Sequence, residues 1–218
     1  MNDNALKEKT GKWLLKNFED SFKNALVPRM PQWIETYHLT WTTLIWSGLV
    51  VLSFYFGTEN SLYYWCVPVL VIVQYITDLL DGALGRFRDT GLVKWGYYAD
   101  HFLDFVFMCA LIFGYALVTG FSVWIFLLMA LGGAFMAHTF LLVSTNGEFQ
   151  ISLFGIGPTE GRLIFVIAHS VMLVVGIEML DVVLPYVVIA VALFLSYAFI
   201  ASQIKLWRLD MSIKNNNV

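Results

Sequence analysis

Charge is scarce in this chain. Only 13% of its 218 residues are Asp, Glu, Lys or Arg, against 59% hydrophobic and 17% aromatic. With a mean hydropathy of +0.71, that excludes a soluble globular domain, where roughly 25% of residues are charged, and leaves an integral membrane protein. Cysteine is nearly missing too. Cys66 and Cys109 both stand inside apolar runs, so neither a disulfide framework nor a thiolate metal site is expected. The first 25 residues carry Lys7, Lys9, Lys12, Lys16 and Lys23 but no apolar stretch. A cleavable signal peptide is therefore not expected, and the N-terminus is expected to stay on the side of synthesis. No internal repeat is visible, and the polar end KNNNV is expected to be disordered.

What is present are apolar runs of membrane-crossing length. They predict an all-α, polytopic membrane protein with six transmembrane helices, at about 40–57, 61–84, 95–118, 121–144, 161–180 and 183–204. The expected organisation is a cytoplasmic segment over 1–39, a six-helix catalytic domain over 40–206 and a cytoplasmic tail over 207–218. In residues 12–26, Trp13, Leu14, Phe18, Phe22 and Leu26 recur at three- and four-residue steps between lysines and acids. That pattern reads as an amphipathic helix in the membrane interface, or as one packed on the protein's own cytoplasmic surface, ended by Pro28 and Pro31. Trp33, Tyr37 and Trp41 suit an aromatic anchor at the entry to the first span. All 13 Lys and Arg residues lie before the first span, between the second and third, at the start of the fifth, or after Ile204. By the positive-inside rule those regions and both termini are cytoplasmic. Ala130, Gly132, Gly133 and Ala134 in the fourth span offer a small-residue face for close helix packing.

Between Thr77 and Asp104 the apolar pattern breaks, and four aspartates stand beside or within helical runs: Asp78, Asp81, Asp100 and Asp104. A charge at membrane depth is costly and marks function by default. Spacings of three and four put Asp78 with Asp81, and Asp100 with Asp104, on common helix faces. Two such helix ends facing each other would crowd carboxylates that only cations can neutralise, and hard oxygen donors suit Mg²⁺, Mn²⁺ or Ca²⁺. A two-metal site follows. Gly82 and Gly96 would let a bulky ligand approach closely, and Arg86 would face anionic oxygens.

These residues resemble the signature of the CDP-alcohol phosphotransferase family, Asp-x-x-Asp-Gly-x-x-Ala-Arg, a spacer, then Gly-x-x-x-Asp-x-x-x-Asp. The matching positions are Asp78, Asp81, Gly82, Arg86, Gly96, Asp100 and Asp104. The family alanine is Gly85 here, and nine residues rather than the commoner eight separate Arg86 from Gly96. Asp100-His101 and the Gly157 to Gly161 stretch, Gly-Pro-Thr-Glu-Gly, are similar to the choline and ethanolamine phosphotransferase branch, while His38 replaces that branch's asparagine ahead of Thr40. Thr159 and Glu160 in that loop are candidates for substrate contact. They also suit helix capping with an acid at the positive dipole end.

The resemblance implies a phospholipid-synthesis transferase that moves a phospho-alcohol group from a CDP-linked donor to an alcohol acceptor and releases CMP. The pair is either CDP-diacylglycerol with a small polar alcohol, or a CDP-amino-alcohol with diacylglycerol. It further implies two Mg²⁺ or Mn²⁺ ions, held by Asp78, Asp81 and Asp100 with Asp104 as fourth ligand or as the general base, and a homodimer with no nucleic-acid partner. His101 is an alternative base. His138 and His169, alone in apolar spans, are expected to be packed and hydrogen-bonded. Two rivals remain: a cation-binding transporter, which Arg86, the glycines and the nearly uncharged far halves of the spans speak against, and an inactive scaffold, against which all four aspartates are present.

Overall fold

The computed structural model describes residues 14–90, 92–146 and 158–216. Lys7, Lys9, Lys12 and Trp13, and the loop carrying Glu148, Gly155 and Gly157, lie outside the described residues. The described residues form seven α-helices: α1 (Lys16–Leu26), α2 (Thr36–Gly57), α3 (Cys66–Arg88), α4 (Val93–Thr119), α5 (Val123–Asn146), α6 (Pro158–Val175) and α7 (Leu180–Asn216). No strand occurs among the described residues. Among the described residues, five stretches are long and apolar enough to cross a membrane: α2, α3 with the 3₁₀ turn before it, α4, α5 and α7 with the 3₁₀ turn before it. The remaining predicted span coincides with α6, of 18 residues, which opens on the polar sequence Pro-Thr-Glu-Gly-Arg.

Local chemistry sets the ends. The imidazole of His38 accepts from the Glu35 N–H (2.9 Å), which fixes the start of α2 at Thr36 rather than near 40. Asp89, in the left-handed region at φ 49°, closes α3, a conformation that Asp tolerates better than most residues. The Arg88 guanidinium then donates to the carbonyls of Met30, Pro31, Gln32 and Ile34, tying the α3 end to the segment after α1. Helix α7 runs beyond the expected end at 204 to Asn216, because Lys-Leu-Trp-Arg-Leu-Asp-Met contains mostly good helix formers and neither Gly nor Pro.

Helix α2 lies between α3 and α4, α6 packs on α3, and α5 packs on α4 and α7. The tightest seam is where Phe54 of α2, fully buried, presses on Gly114 of α4: a Cβ at 114 would stand 2.0 Å from the ring. Tyr115 adjoins the same ring at 4.9 Å. His169 is buried beside them, with Nδ1 paired to the Tyr115 hydroxyl (2.6 Å) and Nε2 to the Tyr64 carbonyl (3.1 Å), a structural use that agrees with its expected role. A second apolar cluster of Val27, Leu80 and Leu84, with Phe22 and Ile34, joins α1 and the following segment to α3. The site lies toward that end of the bundle.

Candidate metal centre

On α3, Asp78 and Asp81 are one turn apart, and on α4 Asp100 and Asp104 likewise. The fold brings the first three together: one carboxylate oxygen from each of Asp78, Asp81 and Asp100 lies within 4.8 Å of the others. Asp81 is buried and the other two are partly so. Three carboxylates at such separations repel one another in a poorly polarisable setting, and the donor set is all oxygen. It fits hard divalent cations such as Mg²⁺ or Mn²⁺.

Neighbouring groups fix each acid. Thr40 of α2, itself buried, donates to Asp81 Oδ2 at 2.9 Å. Gln74, fully buried one turn before Asp78, donates through Nε2 to Asp104 Oδ1 at 3.3 Å. Arg162, near the start of α6, places Nη2 at 2.8 Å from Asp78 Oδ2 and 3.2 Å from Asp104 Oδ1. Its guanidinium lies over the Tyr75 ring at 5.4 Å.

The other predicted residues divide. Arg86 is exposed and folds back over Gly82, its Nη1 3.4 Å from where a Cβ at 82 would be. Gly96 faces open space, as a position reserved for close approach requires. His101 points from α4 toward α5: its Nδ1 is 2.7 Å from the Tyr97 carbonyl and 3.6 Å from Asp100 Oδ2, and its ring meets Phe140 edge-on. Thr159 and Glu160 are buried and reach α1 and the residue before it, Thr159 donating to Glu19 and Glu160 accepting from the Leu15 N–H at 3.0 Å. Gly85 has its own rationale. A methyl there would come 3.2 Å from the Thr36 hydroxyl, so glycine lets α2 start close against α3.

The model of the CDP-alcohol phosphatidyltransferase family matches residues 36–201, from the first residue of α2 into α7. The chain belongs to that family. No curated protein and no solved structure matches it. The matched region contains every residue of the aspartate signature and, beyond it, Thr40, Gln74 and Arg162, which sequence reading gave no role in the site. Gln74 had a signal, being a strongly polar side chain set among apolar ones, and Arg162 had one as a basic residue closing the polar start of α6. Thr40 had none, since hydroxyl side chains on a membrane helix commonly bond their own backbone.

Proposed function

We propose that this CDP-alcohol phosphatidyltransferase family member is an enzyme of phospholipid synthesis, transferring a phospho-alcohol group from a CDP-linked donor to an alcohol acceptor with release of CMP. The observation that carries the reading is the convergence of Asp78, Asp81 and Asp100 from two helices onto one point within a helical membrane protein. Those three would hold two divalent cations, Mg²⁺ or Mn²⁺, with Asp104 alongside. When bound, such ions neutralise the diphosphate and polarise the phosphorus that is attacked.

The chain's own groups do the rest. Asp104 takes the proton of the incoming hydroxyl, held toward the site by Gln74 and Arg162. His101 is the less favoured base, because its ring is turned edge-on to Phe140 of α5, away from the Gln74 and Arg162 contacts that hold Asp104. Thr40 keeps Asp81 from turning away. Gly96 leaves room for the nucleotide, Gly82 and Arg86 form the phosphate-facing surface of α3, and Thr159 with Glu160 holds the α6 turn that delivers Arg162.

The same reading places six spans across the bilayer, counting α6, with the site and both termini cytoplasmic. Its support is that Lys16, Lys23 and Arg29, Arg86, Arg88 and Lys94, and Arg162 are drawn to one end of the bundle by the Arg88 and Thr159 contacts. Helix α1 is the interfacial element: Leu14 and Phe18 are exposed while Glu19 faces the protein, an inversion that suits lipid outside and polar partners inside. The test is direct. Purified protein in detergent is offered a panel of CDP-linked donors, CDP-diacylglycerol and CDP-amino-alcohols, each with polar-alcohol and diacylglycerol acceptors. CMP release with one pairing is expected, and none with any pairing contradicts the reading.

A further inference from the structure

Among the described residues around the aspartates, Arg162 is a side chain of opposite sign that touches two of them. A single nitrogen, Nη2, carries two protons and serves two carboxylates on different helices, Asp78 on α3 and Asp104 on α4. Its side chain is only 22% exposed. The position is built rather than incidental. Tyr75 supplies a ring face beneath the guanidinium, and the residues two and three before Arg162 are buried and bonded to the α1 region. An Arg held this way lends one positive charge where several negative ones meet, which lowers the cost of bringing α3 and α4 together.

Asp78, one of the two carboxylates that Arg162 holds, is also one of the three that converge as a cation site. We propose that Arg162 is an internal competitor of the metals: its guanidinium balances Asp78 and Asp104 when the site is metal-free, and divalent binding has to displace it from Asp78. This rests on the metal-site reading above. The consequence is reciprocal. A cation that stabilises the metal-free site weakens the apparent affinity for metal by the same free energy that it contributes, so removing it should destabilise the empty protein and tighten metal binding together.

Mn²⁺ titrations of chelator-stripped, full-length protein in nanodiscs, read by the loss of the free-ion electron paramagnetic resonance signal, test this without turnover. Arg162→Gln should bind Mn²⁺ about tenfold more tightly than the wild type, toward the lower end of the usual range of coupling between sites. Its metal-free melting temperature should fall, and its rise on Mn²⁺ addition should exceed that of the wild type. Arg162→Lys, a point charge without the planar fork, should fall between the two, and it decides the matter if Arg162→Gln cannot be folded without metal. Mn²⁺ affinity in both variants equal to or weaker than wild type, with a lowered melting temperature, would make Arg162 a purely structural bridge and overturn the proposal. Wild-type protein that takes up no Mn²⁺ would overturn the metal site itself, and the proposal with it.

Discussion

Asp100 and Asp104 stand one turn apart on α4, yet their surroundings assign them different work. Asp100 converges with Asp78 and Asp81, whereas Asp104 is held by an amide and a guanidinium, Gln74 and Arg162. On the base reading, Asp104→Asn lowers the rate by about 10²–10⁴-fold, the usual worth of a positioned general base, and leaves Mn²⁺ affinity nearly unchanged. Rescue of that variant by excess metal would show a ligand instead. Asp78→Asn and Asp100→Asn behave as ligand losses: turnover disappears and the thermal stabilisation given by metal shrinks. A melting shift equal to wild type in either would remove that residue from the site. The aspartates were legible in the sequence because their spacing of three and four is a local, helical property. The contacts of Thr40, Gln74 and Arg162 were not, since each reaches across 30 to 58 residues of chain and is fixed only by how helices pack.

At the scale of elements, apolar run length was a good guide to where helices are and a poorer one to where they end. Helix α2 starts at Thr36 through the Glu35–His38 pairing, and α7 continues to Asn216 on intrinsic propensity, neither of which hydropathy registers. The closeness of α2 to α4 was equally hidden, for it depends on which glycine meets which ring. Gly114→Ala is expected to destabilise the protein by about 1–3 kcal/mol, the usual cost of overpacking, because the new methyl would enter the ring of a fully buried Phe54. Thermal unfolding in detergent checks this. A variant as stable as wild type would mean that the seam is looser than described. The small-residue face of α5 is split between two uses: a Cβ at Gly132 would stand 2.7 Å from Met108 of α4, while Ala130 and Ala134 are exposed.

For the whole molecule, that division bears on assembly. Only 6% of the most apolar stretch of α5 is buried within the chain. We propose that the homodimer implied by the family resemblance docks its second copy on Ala130 and Ala134, one turn apart on α5. A dimeric mass in nanodiscs is expected, and a fully active monomer would count against it. The aspartate cluster and its partners lie apart from Phe54, Tyr115 and His169, which pack in the apolar core. Such an arrangement suits a site loaded from the aqueous side rather than a path through the bilayer.

The claim on which everything else depends is that the aspartate cluster works as a divalent-metal centre for a CDP-linked substrate. It is tested most directly by CMP release from purified protein with the productive donor and acceptor, measured after complete chelation and again after stepwise return of Mg²⁺ or Mn²⁺. No release above background is expected without metal, with recovery that saturates as metal is restored. CMP release that continues undiminished under full chelation would contradict it.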